Sequence, residues 1–158
     1  MRLSARLRGV LDLVPAYGAV ADIGSGHGAL AAAVAARGQR VLATERTPGR
    51  VESLRRDMAR RGIPVATRRG EGLAALRQGE VDIAVIAGLG GRNLVAMLES
   101  SPWLPRWLVL QPVQDAAMVE DWICAKGFAA VSDETTERGR RYRTWRVDVP
   151  AAAGRVRP

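Results

Sequence analysis

The sequence predicts an α/β fold: a mostly parallel seven-stranded sheet with an antiparallel last strand and helices on both faces. Three observations carry this. Short apolar runs bounded by glycine alternate with helical periodicities along the chain, which is the pattern of successive βα units. Most of these runs are continuously apolar, so they are expected to be buried on both faces, as parallel strands are. The last two extended runs, 128–136 and 141–149, are separated only by Glu137-Arg138-Gly139-Arg140. That link is too short for a parallel crossover, so the final strand must run antiparallel.

Residues 3–14 place Leu3, Leu7, Val10, Leu11 and Val14 at helical spacing, with Pro15 ending the run and Arg2, Arg6 and Asp12 on the other face. Val20-Ala21-Asp22-Ile23 reads as a short buried strand. It enters Gly24-Ser25-Gly26-His27-Gly28 and then an alanine-rich helix that stops near Gly38. The unit repeats: residues 40–45 form a strand, Thr47-Pro48 a helix cap with proline at the first helical position, and Gly62 closes the helix. Val51, Leu54 and Met58 mark its buried side. Further strands are expected at 65–67, 81–86 and 107–110, each trailed by a helical segment. One domain is expected over residues 1–150, opening with the basic helix 3–14, and residues 151–158 read as a flexible tail.

The chain has 158 residues, with 24 Lys plus Arg against 16 Asp plus Glu and a net charge of +8. All the basic residues but Lys126 are arginine, which argues against lysine-base or Schiff-base chemistry. Arginine forks suit phosphate, and an excess of this size favours a polyanionic partner such as RNA. A GC-rich genome accounts for arginine in place of lysine but not for the net charge. Cys124 and His27 are the only cysteine and histidine, which excludes a disulfide scaffold and a Cys/His zinc cluster, so no metal is expected. Cys124 itself is expected in the core, and Trp103, Trp107, Trp122 and Trp145 are expected to be packing residues. No apolar run approaches the roughly 18 residues of a membrane span, and the first residues lack a signal-peptide core. A soluble, cytoplasmic protein is expected.

Gly24, Gly26 and Gly28 let the backbone pass close to a ligand where the first strand meets its helix. Gly24-x-Gly26-x-x-Ala29 also satisfies the dinucleotide fingerprint. Asp22 separates the two readings. Its carboxylate is unfavourable beside a pyrophosphate but attracts the ammonium of S-adenosylmethionine, and an antiparallel final strand is the distinguishing addition of the methyltransferase version of this sheet. Ser25 and His27 lie within the same turn; His27 reads equally well as a methionine or target contact and as an ordinary polar loop residue. Glu45 ends the second strand, where an acidic side chain can accept bonds from both ribose hydroxyls or simply cap the next helix. Arg46 follows it. Glu71 and Gly72 follow the third strand on the same sheet edge, where Glu71 reads equally well as an adenine contact and as an ordinary helix N-terminal carboxylate.

After the fourth strand, Ala87-Gly88-Leu89-Gly90-Gly91-Arg92-Asn93 is a glycine-rich loop at the carboxyl edge, where ligands of open α/β folds bind. It lacks the Asn-Pro-Pro-aromatic sequence of amino-methylating enzymes, which favours a ring nitrogen over an exocyclic amine. Asp22, Gly90, Asn93 and Gln111 form the candidate catalytic set, with Gln111-Pro112 ending the fifth strand at the same edge. Candidate RNA contacts are Arg2, Arg6 and Arg8 on the first helix and Arg140, Arg141 and Arg143 on the final hairpin, where Arg138 and Arg146 also lie. Arg50, Arg55, Arg56, Arg60 and Arg61 read mainly as a solvated helix face.

The ordered set Leu3-Ser4-x-Arg6-Leu7, Asp22-Ile23-Gly24-x-x-His27, Ala87-Gly88-Leu89-Gly90-Gly91 and Leu108-Val109-Leu110-Gln111-Pro112 resembles the bacterial tRNA (adenine-22-N1) methyltransferase family. Glu134 and Tyr142 also fit. The resemblance covers residues 3 to about 149. It implies a Rossmann-like class I methyltransferase fold, S-adenosylmethionine as donor and tRNA as acceptor. By position it implies that Asp22, Gly24, His27, Glu45, Glu71 and Gly90 line the donor site, with Arg6 near the target. The family usually continues into a helical domain that helps hold tRNA, so here residues 1–14 and the hairpin are expected to take that part. Three alternatives stay open on sequence: an S-adenosylmethionine-binding RNA regulator without turnover, a small-molecule methyltransferase and, more remotely, a nicotinamide enzyme.

Overall fold

Ser4 starts the first helix: its hydroxyl oxygen accepts from Leu7 N at 3.3 Å, and α1 (Ala5–Leu13) follows. The helix ends at Leu13 because Val14 precedes Pro15 and takes an extended conformation. In the computed structural model, which describes residues 2–151, the expected tail from 152 onward lies outside the described residues. The remaining elements are β1 (Val20–Ile23), α2 (Ala29–Ala35), β2 (Val41–Glu45), α3 (Pro48–Arg60), β3 (Val65–Arg69), β4 (Ile83–Ala87), α4 (Gly91–Ser100), β5 (Trp107–Gln111), α5 (Ala116–Lys126), β6 (Ala129–Glu137) and β7 (Arg140–Asp148).

The seven strands lie in the order β3-β2-β1-β4-β5-β7-β6. Neighbours from β3 through β5 pair in parallel, and β7 is antiparallel to both β5 and β6. Alternation along β4 shows why its run is continuously apolar. Ile83 and Val85 face α1, α2 and α3, packing with Val10, Leu30, Val34, Leu54 and Met58. Ala84 and Ile86 face α4 and α5, packing with Leu94, Leu98, Val119, Trp122 and Ile123. The chain leaves β1 toward β2 on one side, while β4 pairs on the other. The connections therefore part at this point and leave a crevice at the carboxyl ends of β1 and β4.

Several sequence expectations are corrected in detail. The third strand is trailed by no α-helix, only by a 3-10 turn at Gly72–Ala75; Gly70, Gly72 and Gly79 make this segment a poor helix. The fourth strand begins at Ile83, not 81; ahead of it the Asp82 carboxylate accepts from Ala19 N at 2.7 Å, and Asp82 N and Ile83 N both donate to Ala19 O. Thr47 stands at the α3 N-cap but makes no capping bond with its side chain. Cys124 is exposed, not in the core: the buried stripe of α5 is Val119, Trp122 and Ile123, and Cys124 falls off it. Trp103, Trp122 and Trp145 are buried packing residues, while Trp107 is half-buried with Tyr17 edge-on at 5.5 Å.

The hairpin is tighter and longer than expected. Glu137 pairs with Arg140, so only Arg138 (φ 51°) and Gly139 (φ 78°) form the turn, both left-handed as a two-residue type I′ turn requires. β7 pairs with β5 only up to Leu110↔Trp145. Residues 140–143 therefore continue past the end of β5, about 13 Å of strand extending beyond the carboxyl edge. Among the described residues no helix is long and apolar enough to cross a membrane.

Candidate functional site

The glycine turn is shaped by two different needs. Gly24 (φ 69°) and Gly26 (φ 60°) are left-handed with open space where a Cβ would stand. Gly28 (φ 72°) is left-handed and also crowded: a Cβ would meet Leu54 Cδ1 at 2.6 Å and Met58 Cε at 2.7 Å. Gly24 keeps the turn bare toward the crevice, and Gly28 lets α2 start against α3.

Buried carboxylates hold this turn. Asp22 is 5% exposed and accepts from Ser25 Oγ at 2.6 Å. Burial raises its carboxyl to about pKa 6; bonds from the Ser25 hydroxyl and the Ala31 amide pull down and the Glu45 charge pushes up. Glu45, 4% exposed, accepts from Gly26 N through Oε1 at 2.6 Å. Its Oε2 lies 3.9 Å from Arg50 Nη1. Ser25 N donates to Thr44 O at 3.0 Å, which ties the turn to β2.

In front of the turn lies a cleft of about 1100 Å³. Of the expected site residues it brings together Gly24, Glu45, Arg46, Glu71, Gly72, Gly88 and Asn93. Its far wall adds Leu73, Leu89 and Met97, an apolar slot between the 3-10 turn and α4. Arg46 and Glu71 face each other across the rim at 3.9 Å, both largely exposed, a weak pair open to displacement by a ligand. Gly24 and Gly88 (φ 94°) present bare backbone to the cleft. A buried carboxylate for vicinal hydroxyls, an apolar slot for a purine and bare glycines where the reacting group would lie together fit a nucleoside-bearing ligand.

Other expected residues lie elsewhere. Asp22 and Gly28 are buried behind the turn, Ser25 is half-buried, and Gly26 and His27 are exposed on it, outside the cleft lining. Gly90 caps α4 and packs on Gln114. Gln111 is corrected from a substrate contact: it is fully buried and its amide is committed. Oε1 accepts from Arg6 Nη1 at 2.8 Å, and Nε2 donates to Thr144 Oγ1 at 2.7 Å and Arg6 O at 3.3 Å. Sequence reading missed Arg50, taken as solvated helix face, and Met97; both line the cleft. For Met97 the signal was its place one turn after Asn93 on α4, whereas nothing in the sequence turns Arg50 toward Glu45.

The arginines divide by face. On the α1 side, Arg6 lies over the Tyr142 ring with Cζ 5.7 Å from its centroid, and Arg140 lies over it at 5.3 Å. On the other side, Arg143 pairs with Glu120 at 3.0 Å and Arg141 with Glu134 at 3.8 Å. Arg2 is exposed, and Arg8 donates to Leu3 O at 3.0 Å. Among the described residues no three Cys, His, Asp or Glu side chains cluster as a metal-ligand set.

Comparison with known proteins agrees with this geometry. The tRNA (adenine(22)-N(1))-methyltransferase of Bacillus subtilis is 30% identical over a 150-residue alignment that covers 90% of this chain and 63% of that protein. The chain thus spans less than two thirds of that relative's length. The crystal structure of the B. subtilis tRNA methyltransferase TrmK superposes with a TM-score of 0.84 at 28% identity, covering 94% of this chain and 67% of that one. A Streptococcus pneumoniae protein solved in complex with S-adenosyl-L-methionine superposes with a TM-score of 0.83 at 27% identity, covering 99% and 76%. The sheet order, its antiparallel seventh strand and the cleft at the β1/β4 crevice are those of a Rossmann-like methyltransferase. The family model described as a methyltransferase domain matches residues 3–144, and the chain belongs to that family.

Proposed function

We propose that this protein is an S-adenosylmethionine-dependent methyltransferase that acts on tRNA and transfers the methyl group to adenine N1. The observation that carries the reading is Glu45, a buried carboxylate held by Gly26 N at the end of β2 and lining the cleft at the sheet's switch point. The similarity to tRNA (adenine(22)-N(1))-methyltransferases supports the acceptor. The net charge of +8 supports a polyanionic one.

S-adenosylmethionine supplies an electrophilic methyl on a sulfonium. Glu45 would receive the ribose hydroxyls, and Leu73, Leu89 and Met97 the purine. Asp22 acts from behind, keeping the turn in place and adding negative charge where the donor is cationic. Adenine N1 carries an in-plane lone pair at neutral pH, so its attack requires no strong base; the task is alignment of nitrogen, methyl and sulfur. Asn93 on the cleft wall is placed to orient the base, and Gly90 shapes the loop behind it. Arg6, Arg140 and their neighbours would hold RNA in the cytoplasm, where its substrate is found. Residues 3–149 act as one unit in this reading.

Incubation with radiolabelled S-adenosylmethionine and unmodified total tRNA, followed by digestion to nucleosides, tests this directly. Label is expected in 1-methyladenosine. Label in another nucleoside refutes the atom assignment. Absence of label, with donor binding measured separately, refutes turnover on tRNA.

A further inference from the structure

The sheet's carboxyl edge carries two sets of hairpin arginines, and the structure treats them unequally. Side chains alternate across a strand, so β7 sends Arg140, Tyr142 and Thr144 to the α1 face and Arg141 and Arg143 to the α5 face. On the α5 face Arg143 is bound by Glu120 at 3.0 Å and lies over Trp145, while Arg141 makes only a weak, exposed pair with Glu134 at 3.8 Å. On the α1 face three side chains form a column in which Arg6 and Arg140 share one aromatic partner, their Cζ atoms 5.7 and 5.3 Å from the Tyr142 ring centroid.

The lower member of that column is fixed from below. Gln111, fully buried at the end of β5, accepts from the Arg6 guanidinium and donates to both the Arg6 carbonyl and the Thr144 hydroxyl. Glu137 at the hairpin tip accepts from Arg6 N at 3.2 Å, which pins the start of α1 to β6. A side chain as long as arginine ordinarily loses much rotamer freedom when it binds; here that ordering is already done by the fold. The column stands on the stretch of hairpin that extends past β5, on the sheet edge that holds the cleft.

We infer that the Arg6–Tyr142–Arg140 column on the α1 face of the hairpin is the docking surface for the acceptor RNA, with Gln111 as the residue that sets Arg6 in it. The inference rests on the reading that the acceptor is RNA. The preordered Arg6 guanidinium and that of Arg140 offer donors to phosphate oxygens, and the Tyr142 ring beside them offers an aromatic surface to an unstacked base. On the α5 face Arg143 would have to give up Glu120 first.

The experiment is titration of the protein with unmodified total tRNA at several salt concentrations, with S-adenosylmethionine affinity measured by calorimetry on each variant. Two charge-matched double variants are compared, so the change in overall charge cancels. Arg6→Gln with Arg140→Gln is expected to weaken binding by about tenfold or more and to reduce the slope of log affinity on log salt by about two. Arg141→Gln with Arg143→Gln is expected to shift that slope by much less. Because Arg6 also anchors α1, Arg140→Gln alone, at the exposed tip, provides the second reading: a loss of about one in slope with donor affinity retained. An equal or greater loss in the Arg141/Arg143 variant overturns the inference while leaving an RNA acceptor in place. Wild-type protein that binds no tRNA in a salt-dependent way overturns the RNA reading itself.

Discussion

Under the proposed function, Asp22 sets stability against donor binding at a single residue. Its carboxyl titrates at about 6 in the folded protein against 3.8 ordinarily, because burial penalises the charge more than Ser25 and Ala31 relieve it. The folded state therefore binds more protons than the unfolded one between these values. Stability falls as pH rises through that window, and the full cost, about 3 kcal/mol at 1.36 kcal/mol per unit, persists above it. Asp22→Asn is expected to recover part of this at pH 7.5, measured by urea unfolding, and to lose donor binding measured by calorimetry. A variant less stable than wild type at pH 7.5 would show that the bonds from Ser25 and Ala31 outweigh the desolvation. Donor affinity of the wild type is likewise expected to weaken as pH falls through about 6. The sequence marked Asp22 by its place two residues before Gly24. That it lies buried behind the cleft wall was not legible, because burial depends on what α2 and β2 place around it.

At the scale of elements, close approaches decide which glycines are needed. Gly91 opens α4 beside the start of α5, and a Cβ there would overlap Asp115 O, a backbone atom that cannot rotate away. Gly91→Ala is expected to destabilise by about 1–3 kcal/mol, the ordinary cost of overpacking, read as a lowered urea midpoint. A change under about 0.5 kcal/mol would show that α4 and α5 separate freely. The loop was recognised in the sequence as glycine-rich at a strand end, but only α4–α5 packing shows that Gly91 serves the scaffold while Gly88 faces the cleft. The same holds for Gln111. Its position at the end of an apolar strand was plain, whereas its commitment to Arg6 and Thr144 depends on α1 returning across β5 and β7, over a separation of 105 residues from Arg6.

For the whole molecule, charge and topology act together. A net charge of +8 on 158 residues would attract a polyanion from a distance, and counterion release would make such binding fall with salt. With roughly four phosphates engaged, affinity for tRNA is expected to drop on the order of a hundredfold between 50 and 200 mM salt. A flat salt dependence in a filter-binding or fluorescence titration would instead favour a small-molecule acceptor. The sequence by itself determined the alternation of strands and helices, the antiparallel end of the sheet, the glycine turn and the positions of Asp22, Glu45 and Glu71, because these follow from local periodicity, turn residues and connection length. Only the tertiary structure decided which of them line the cleft, that Arg50 and Met97 join it, and that the hairpin arginines divide into a paired face and a stacked one. Those outcomes depend on which side of the sheet each helix covers and on contacts between residues far apart in the chain, and no local pattern encodes either.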